Sequence, residues 1–401
     1  MARQAGYPTG MADAVEGLLV VGSGPAGVSA AVAYRDAGGD GPVRVLTADP
    51  DPPYERPPLS KDVLRGKTEP GDTDLHPAEF YRERDIELRL ATPVRALLVT
   101  DHAVLIGHGG VVAYDVCVLA TGSAPVRPPI PGADLPHVHV LRSRRDAGTL
   151  RDAAAGAQRA VVAGSGFIGC EAAASLAARG VEVTLITDES HPHQARLGGW
   201  VARCIEQWLD GLGVTLLTGD ALARIETGTV HTGSGRAVRA DLVLLATGIR
   251  PHVDLAEEAH LELANGRISV DASMRTSGPD VLAAGDVAYA HHPAAGRQLA
   301  VEHWGDALAM GEVAGRVAAG APARWEQPPG FWTTIGDRTM KYAAWGDGYD
   351  DTRVVQQSDD GFTVWYGKDD VVVGVLTYQA DPDYERGRQL VELAAPWPEV
   401  A

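Results

Sequence analysis

Residues 17–38 read GLLVVGSGPAGVSAAVAYRDAG, and this stretch decides the fold. A short apolar run leads into a glycine-rich turn, and an alanine-rich segment follows it. The order of buried strand, G-x-G-x-x-G turn and helix is typical of a dinucleotide-binding fold. In such a turn Gly22 allows the bend, Gly24 lets a pyrophosphate approach the backbone, and Gly27 lets the helix pack closely on the strand. The N-terminus of the helix then presents free N–H groups to phosphates.

The same pattern occurs a second time, in residues 159–186, which read RAVVAGSGFIGCEAAASLAARGVEVTLI. Gly164, Gly166 and Gly169 repeat the spacing of the first turn and again separate an apolar strand from a helix. One such motif is weak evidence, because glycines can simply pack a helix on a strand, whereas two motifs in one chain are specific. The sequence therefore predicts two dinucleotide sites, for two cofactors that exchange electrons.

Each glycine turn is followed by a second predicted strand that ends near an acidic residue. These strands read VRVLTAD and VEVTLITD, and they end at Asp49 and Asp188. An acid at this position can bind the ribose hydroxyls of adenosine, and it repels the 2′-phosphate of NADPH. We therefore expect NADH to be favoured over NADPH, while His191, His193 and Arg196 follow closely enough to leave NADPH open.

Composition and missing motifs exclude other classes of protein. A formal charge of −18 argues against nucleic acid or an anionic membrane surface as a partner. No signal-peptide pattern or membrane-length apolar run occurs, so we expect a cytoplasmic protein without a membrane partner. Nucleophile-elbow, zinc-protease and P-loop motifs are absent, and the histidines lack the partners of a metal site. The cysteines Cys117, Cys170 and Cys204 are widely spaced in apolar surroundings, which makes thiol chemistry improbable.

Further motifs resemble those of one flavoprotein family. CVLATGSAPVRPPIPG at 117–132, LVLLATGIRPHVD at 242–254 and VLAAGDVA at 281–288 are, as a set, similar to the pyridine-nucleotide reductases, in which an NAD domain interrupts an FAD domain. YERPPLSK, GFIGCE and VEHW look most like the branch that passes electrons to ferredoxins, which includes rubredoxin, putidaredoxin and biphenyl-dioxygenase ferredoxin reductases.

The resemblance implies an α/β fold with two Rossmann-like domains and a small carboxyl-terminal α+β domain. The FAD-binding domain would comprise residues 15–123 and 249–321, and the NAD(H)-binding domain residues 124–248. Residues 322–401 would form the third domain, which helps to build the docking face for a partner. Alternating apolar residues there predict antiparallel strands, and a closing helix is expected near 382–394.

The same resemblance assigns a catalytic pair. Lys61, in YERPPLSK, would reach toward the reactive N5 edge of the flavin, and Glu171 would pair with Lys61 and contact the nicotinamide amide. A cation there stabilises negative charge on the reduced flavin, and its carboxylate partner limits the cost of burying that cation. Arg56 would contact the flavin or shape its pocket. The double proline of this segment predicts a rigid, extended backbone.

Other positions are implied as cofactor contacts. Asp286 would bind the ribityl chain, with a helix N-cap as its alternative role; Val94 would offer its backbone to adenine. Trp332 would lie near the flavin edge, and a core position is equally open for it. The cofactor-binding residues implied in full are Gly22, Gly24, Pro25, Ala26, Gly27, Asp49, Arg56, Lys61, Val94, Ala120, Thr121, Gly122, Arg127, Gly164, Gly166, Phe167, Ile168, Gly169, Glu171, Asp188, Arg196, Ala246, Thr247, Gly248, Gly285, Asp286, Glu302, His303, Trp304 and Trp332.

These expectations describe an NADH-dependent FAD reductase that passes electrons to a ferredoxin-type iron–sulfur protein serving an oxygenase or cytochrome P450. A thiol-independent NADH oxidase or quinone-type reductase is the enzymatic alternative, and an NADH-responsive redox sensor is the alternative from another class. The sequence leaves open whether the protein forms a homodimer. Docking of an acidic ferredoxin requires basic residues near the flavin edge, for which Arg65, Lys67, Arg338 and Lys341 are candidates. We interpret the cluster Arg142, Arg144 and Arg145 as a solvated surface run.

Overall fold

The computed structural model describes residues 17–107, 109–346, 348–357 and 360–397. The predicted limits of the domains at residues 15 and 401 lie outside these residues, and the division into three domains stays a prediction. The secondary structure falls into four successive parts of the chain.

The first part, up to residue 125, begins with the strand that carries the first glycine turn. Its strands are β1 (Leu18–Val21), β2 (Val43–Leu46), β3 (Ile86–Arg89), β4 (Val94–Leu98), β5 (Ala103–Ile106), β6 (Gly110–Ala113), β7 (Val116–Leu119) and β8 (Ser123–Pro125). Its helices are α1 (Pro25–Asp36) and α2 (Ala78–Arg82), with a π-helical turn at Leu59–Val63 and a 3₁₀ turn at Pro70–Thr73.

The second part contains the second glycine turn. Its strands are β9 (Val138–His139), β10 (Arg159–Ala163), β11 (Glu182–Ile186), β12 (Thr215–Leu217), β13 (Leu222–Glu226), β14 (Thr229–Thr232), β15 (Ala237–Arg239), β16 (Leu242–Leu245) and β17 (Ile249–Pro251). Its helices are α3 (Arg144–Gly156), α4 (Phe167–Ala177) and α5 (Gln194–Gly211).

The remaining elements form the third and fourth parts. The third part consists of α6 (Asp254–Glu258), β18 (Leu263–Ala264), β19 (Arg267–Val270), β20 (Val281–Ala283), β21 (Ala288–His292), β22 (Arg297–Ala300) and α7 (Trp304–Ala318). The fourth part consists of β23 (Gly330–Ile335), β24 (Arg338–Ala344), β25 (Asp351–Gln356), β26 (Phe362–Lys368), β27 (Val371–Tyr378) and α8 (Asp381–Glu392). The expected closing helix is therefore present.

Both glycine turns lie at the carboxyl ends of central strands in parallel sheets. The first sheet has the order β20-β7-β1-β2-β3, and β1 pairs in parallel with β2 and β7. The second sheet has the order β12-β11-β10-β16-β9, and β10 pairs in parallel with β11 and β16. Ligands of open α/β sheets bind at the carboxyl ends of the strands, so this topology places two binding edges in one chain.

The chain passes from the first sheet to the second after β7 and returns after β16. The two passages pair with each other, because β8 and β17 form a two-stranded antiparallel ribbon directly after the two A-T-G segments. This connectivity is the one that an inserted nucleotide domain requires. It also holds the two sheets' binding edges next to one another.

Helices α1 and α7 pack closely against each other through small residues. A Cβ atom added to Gly311 of α7 would lie 2.2 Å from the carbonyl oxygen of Ala26, and one added to Gly315 would lie 2.1 Å from that of Ala30. Glycine at both positions therefore permits the contact. Residues at the starts of both helices, Pro25 of α1 and Trp304 of α7, line the same cavity.

The fourth part forms an antiparallel sheet of order β23-β24-β27-β26-β25, on which α8 packs. Its edge strand β23 contacts α4 and α7, which come from the second and third parts of the chain. The carboxyl-terminal sheet therefore closes one side of the space between the two parallel sheets.

Candidate active site

A cavity of about 650 Å³ lies where both glycine turns and strand β23 meet. Most of the residues predicted to bind cofactors line this cavity. They are Gly22, Gly24, Pro25, Ala26, Asp49, Arg56, Lys61, Ala120, Thr121, Gly122, Gly166, Phe167, Ile168, Glu171, Arg196, Ala246, Gly248, Gly285, Asp286, Glu302, His303, Trp304 and Trp332. The structure thus brings together side chains that are spread over more than 300 positions of the sequence.

Three predicted glycines lie behind the cavity wall and serve packing. A Cβ atom on Gly27 would lie 1.9 Å from the carbonyl oxygen of Gly22, and one on Gly169 would lie 2.0 Å from that of Gly164. Gly164 itself has a φ of +103°, which an L-residue rarely adopts. These contacts match the turn and packing roles that the spacing predicts.

Four other residues that the sequence predicts to contact a cofactor do not line the cavity. Arg127 donates a hydrogen bond to the carbonyl oxygen of Ala133 at 2.6 Å, and Thr247 donates one to that of Val126 at 3.0 Å. Val94 packs against the core of the first sheet, and Asp188 is exposed. The cavity gives their predicted cofactor contacts no support, and these contacts stay predictions.

The predicted pair of Lys61 and Glu171 is present as a buried ion pair. The Lys61 Nζ atom lies 2.7 Å from Glu171 Oε2, with side-chain exposures of 15% and 5%. Lys61 also donates to the carbonyl oxygen of Pro57 at 3.0 Å. The ammonium and the carboxylate therefore offset each other's charge at the cavity wall, as a buried pair must. Their contacts with flavin and nicotinamide stay predictions.

Glu171 is the centre of a larger cluster that the sequence did not reveal. Its carboxylate accepts hydrogen bonds from Ser60 Oγ at 2.6 Å, from Thr333 Oγ1 at 2.8 Å and from the backbone N–H of Thr334 at 3.2 Å. Ser60 and Lys61 both belong to the π-helical turn, and Thr333 and Thr334 both belong to β23. With the hydrogen bond from Lys61, four hydrogen bonds fix the orientation of this buried carboxylate.

The expectation of an extended YERPPLSK segment is wrong beyond Glu55. Pro57 and Pro58 form a turn, and Leu59–Val63 is a single π-helical turn that carries Lys61. Pro58 has φ −70° and ψ −20°, which is helical. The proline ring fixes φ near −65°, a value that suits the start of a helix as well as an extended chain.

Asp286 forms a second buried cluster at the first parallel sheet. It accepts a hydrogen bond from Ser123 Oγ at 2.6 Å and an ion-pair hydrogen bond from Arg142. Burial alone would raise the pKa of Asp286, but Arg142, the Ser123 hydrogen bond and Arg56 outweigh it and hold this pKa below its ordinary value. Asp286 is therefore an anion at neutral pH. Its alternative role as a helix N-cap is wrong, because the strand β21 follows it.

The arginine cluster is not the solvated run that we inferred. Arg142 lines the cavity, and its buried Nε atom has no hydrogen-bond partner. Arg144 is buried, pairs with Asp74 at 2.6 Å and lies 4.7 Å over the ring of Tyr54, whereas Arg145 is exposed. The capping box that starts α3, S-x-x-D at residues 143–146, is the sequence signal that would have placed these arginines at a helix start.

Glu189, one position beyond Asp188, is the acid after β11 that lines the cavity. Glu189 lines the wall, and its Oε2 atom is buried without a hydrogen-bond partner. Its backbone N–H donates to Thr187 Oγ1 at 3.2 Å, which fixes the turn after β11. Strand ends cannot be located to one residue from sequence, so the pattern could not distinguish Asp188 from Glu189.

Two neutral imidazoles contact Phe167 beside the second glycine turn, His193 by stacking and His303 edge-on. The ring of His193 lies 4.3 Å from that of Phe167, and His303 lies 6.1 Å from it. Burial and then the nearby Arg196 lower the pKa of His193 to about 3 and that of His303 to about 4. Neither ring therefore offers a positive charge to a phosphate at neutral pH, whereas Arg196, 5.6 Å over Phe167, does.

Trp332 is a wall residue and not a core residue. Its side chain lines the cavity on β23 and remains 44% exposed. The alternative of a core tryptophan is therefore wrong. An exposed aromatic side chain at the edge of the cavity is one of the few large apolar groups on the described surface.

The cysteines lie apart from the cavity wall as far as the chain is described. Cys117 and Cys170 are buried, and burial raises the pKa of both thiols. Cys170 donates a weak hydrogen bond to the carbonyl oxygen of Ser165 at 3.3 Å. No thiolate nucleophile is thus supplied to the cavity. Within the same residues no group of metal-ligating side chains clusters, and no helix is long and apolar enough to cross a membrane.

Asp306 gives a pH-dependent prediction for stability. It is buried in the first turn of α7 and accepts a hydrogen bond from the backbone N–H of Gly330 at 3.3 Å. Burial raises the pKa of Asp306 to about 7, although the Gly330 bond and Arg388 lower it. Unfolded aspartate titrates at about pH 3.9, so between that pH and about 7 the folded state binds the extra proton, and the protein loses stability as the pH rises through this range.

We therefore expect Asp306→Asn to raise the melting temperature by a few degrees at about pH 8 and to have little effect at about pH 4. The amide keeps an acceptor for Gly330 and has no charge to bury. Thermal unfolding scans across this pH range check the prediction, with the exposed Asp40→Asn as the control. Equal differences at every pH would contradict it.

Comparison with known proteins places this site in a family. The sequence model described as pyridine nucleotide-disulphide oxidoreductase matches residues 17–311. The chain belongs to the pyridine nucleotide-disulphide oxidoreductase family. The match spans both glycine turns and the segments that carry Lys61, Glu171 and Asp286, so the predicted family resemblance is confirmed.

Similar relatives and structures refine this placement. The chain is 32% identical to a ferredoxin–NAD(P)(+) reductase of Sphingomonas sp. over 398 residues, which cover 96% of this chain and 95% of that protein. It is 32% identical to a rubredoxin–NAD(+) reductase of Pseudomonas putida over 81% of this chain and 85% of that one. A chain of the covalent putidaredoxin reductase–putidaredoxin complex superposes with a TM-score of 0.91 at 28% identity, covering 96% and 94%. This likeness confirms the predicted α/β fold.

Proposed function

We propose that this protein is an NADH-dependent FAD reductase that passes electrons to a ferredoxin-type iron–sulfur protein. The single observation that carries the proposal is the cavity itself. Two glycine turns at the carboxyl ends of two parallel sheets open into it, and the buried Lys61–Glu171 pair lies in its wall. The relatives named above, which reduce ferredoxin or rubredoxin, support the choice of acceptor.

The first glycine turn fits FAD. A Cβ atom on Gly24 would have no neighbour closer than the Arg56 guanidinium at 4.0 Å, so the turn leaves room for a pyrophosphate at the N-terminus of α1. Asp49 lines the same cavity, with its carboxylate oriented by a hydrogen bond from Tyr54 Oη at 2.9 Å. Arg142 lines the same cavity, and its buried Nε atom has no hydrogen-bond partner. These groups are donors and acceptors for a phosphorylated, polyhydroxylated ligand.

The second glycine turn fits a nicotinamide dinucleotide. A Cβ atom on Gly166 would meet nothing within 4 Å, so the N-terminus of α4 is open to phosphates. The buried Oε2 of Glu189 and the buried Nε2 of His193 both lack a hydrogen-bond partner. Buried polar atoms that remain unpaired in a cavity wall indicate a polar ligand.

The protein's own residues bind, orient and shield the reactants. When bound, the nicotinamide supplies a hydride to the flavin, whose electrons can leave one at a time to an iron centre. Lys61, held by Glu171 and Pro57, fixes a positive charge in the cavity wall, where it opposes developing negative charge. The rings of Phe167, Phe331 and His303 contact one another and form part of the cavity wall. No side-chain nucleophile or acid is needed.

The docking of an acidic iron–sulfur protein requires basic side chains near the cavity. Among the four candidate cations, Arg65 donates to the carbonyl oxygen of Gly336 at 2.6 Å, and Lys341 pairs with Asp381 at 2.8 Å. These two are already engaged within the chain. Lys67 is exposed, as are Arg338 and the cavity-edge Trp332, which favours this face for the acceptor. A cytoplasmic location, which suits free cysteines, belongs to the same proposal.

Turnover with an acceptor tests the proposal. The purified protein should oxidise NADH slowly in air and at least about tenfold faster when a small ferredoxin is added, with the iron–sulfur spectrum bleaching in step. Equal rates with and without ferredoxin would instead favour the oxidase or quinone-reductase alternative.

Glu189 gives a prediction for coenzyme choice. We propose that it, rather than Asp188, binds the adenosine ribose and repels a 2′-phosphate. Glu189→Gln should therefore shift the ratio of kcat/KM for NADH over NADPH by about tenfold toward NADPH, the scale of one charged hydrogen bond. Steady-state kinetics with both coenzymes measure the shift.

Asp188→Asn is the matched control, because Asp188 is the adjacent acid but is exposed and outside the cavity. Its coenzyme ratio should equal that of the wild type. If the Asp188 variant shifts the ratio and the Glu189 variant does not, the assignment reverts to the one expected from sequence.

A further inference from the structure

Helix α5 is interrupted next to the cavity. Gly198 has φ 84° and ψ 163°, values that no helical residue adopts. The turn before it carries His193, Ala195 and Arg196, all of which line the cavity wall. The interruption therefore separates a short cavity-lining turn from the longer helix that continues to Gly211. A carbonyl beside such a break needs a hydrogen-bond donor from outside the regular helix.

The carboxyl-terminal sheet supplies that donor. Tyr366, in β26, donates its phenolic hydroxyl to the carbonyl oxygen of Leu197 at 2.9 Å, and both residues are buried. Tyr349 lies at the same place: a Cβ atom on Gly198 would lie 2.7 Å from its hydroxyl oxygen. The rings of Tyr349 and Tyr366 are 4.9 Å apart. A residue far along the chain thus fixes the break in α5.

A chain of ring contacts leads from Tyr366 back to the same turn. Tyr366 contacts Tyr342 at 5.6 Å, Tyr342 contacts Phe331 at 4.9 Å, and Phe331 contacts Phe167 at 4.2 Å. Phe167 in turn stacks on His193 at 4.3 Å. The backbone from His193 to Leu197 then connects this series of rings to the carbonyl that Tyr366 binds. The cavity-lining turn is therefore held from one side by Phe167 and from the other by Tyr366.

We propose that Tyr366 is a positioning residue for the nicotinamide dinucleotide. By holding the carbonyl of Leu197, its hydroxyl keeps the turn 193–196 against Phe167, directly after the second glycine turn. Arg196 and His193 of this turn line the same cavity as Glu189. The inference rests on the proposed function, because it assumes that this end of the cavity takes the dinucleotide. It adds that the carboxyl-terminal sheet sets the affinity for that ligand.

The variant Tyr366→Phe tests the inference, since it removes one hydroxyl and keeps the ring contacts. Calorimetric titration of the flavin-loaded protein with oxidised NAD⁺ measures the affinity without turnover. We expect the Kd for NAD⁺ to rise about tenfold, the effect of leaving one buried carbonyl without its partner. In steady state the KM for NADH should rise with it, while kcat changes less than about twofold. The flavin content and visible spectrum should match those of the wild type.

Tyr81→Phe is the control, because the hydroxyl of Tyr81 is also buried but has no hydrogen-bond partner and lies outside the cavity. Its affinity for NAD⁺ should be unchanged. An unchanged Kd in the Tyr366 variant, with only a lower melting temperature, would overturn the inference and leave the hydroxyl a structural role. Parallel losses of flavin and NAD⁺ binding would overturn it too. Wild-type protein that contains flavin but does not bind NAD⁺ would instead refute the proposed function, and the inference with it.

Discussion

Replacing Lys61 with methionine is expected to slow the reduction of bound flavin by NADH by about 100-fold, the usual effect of removing one preorganised charge from a reaction site. Methionine keeps the length of the side chain and removes only the ammonium. Glu171 would lose its ion-pair partner but would keep the hydrogen bonds from Ser60 and Thr333. Anaerobic stopped-flow mixing with NADH, followed by visible absorbance, measures the rate. Flavin content should be unchanged.

The same variant should also lose stability. Removing one partner of a buried ion pair leaves an uncompensated charge, which costs about 3 to 5 kcal/mol in the free energy of unfolding. The double variant Lys61→Met, Glu171→Gln removes that charge and should regain much of this stability, but not the rate. Lys67→Met is the matched control, because Lys67 is exposed and outside the cavity. A Lys61 variant that reduces flavin at the wild-type rate would show that the pair serves only the fold.

A single substitution in each glycine turn should distinguish the roles of the two turns. Gly24→Val is expected to yield a folded but colourless protein, and Gly166→Val a yellow protein that NADH reduces at least about 100-fold more slowly. Both glycines have negative φ near −70° and extended ψ, so valine fits the backbone. An added Cβ also finds open space at both positions, so the side chain would fill the place of a pyrophosphate.

Absorbance of the purified variants and an anaerobic NADH titration of each measure these effects. Gly27→Ala and Gly169→Ala are the contrasting pair, because their Cβ atoms would lie within 2.0 Å of a backbone oxygen and should prevent folding. If Gly166→Val lost flavin and Gly24→Val kept it, the assignment of the two turns would be reversed. If both variants lost flavin and no other property changed, the second turn would not be a separate dinucleotide site.

The sequence predicted the parts of the fold and site that depend on short-range spacing. The turns at Gly22–Gly27 and Gly164–Gly169 have fixed geometry, because each glycine is required by a turn or a close approach within the same strand–turn–helix unit. The pairing of Lys61 with Glu171 followed from the resemblance to a family and not from spacing, since 110 positions separate the two residues. The structure shows that pairing directly.

The sequence could not predict contacts that depend on where distant segments meet. Thr333 donates to Glu171 across 162 positions, and Tyr366 donates to Leu197 across 169. Arg142 seemed to belong to a surface run because charge alone does not show which face of a helix start is buried. The choice of Glu189 over Asp188 depended on where β11 ends, and one residue reverses the direction of a side chain along a strand.

An anaerobic titration of the purified protein with NADH, and then with NADPH, shows whether this protein is a flavin-containing reductase that prefers NADH. We predict a yellow protein with the spectrum of oxidised flavin, which NADH bleaches within the mixing time at far lower concentrations than NADPH. A ferredoxin added afterwards should restore the oxidised spectrum as it becomes reduced. A colourless protein that binds no flavin would contradict the account, and slow bleaching by NADH would favour a redox sensor over a reductase.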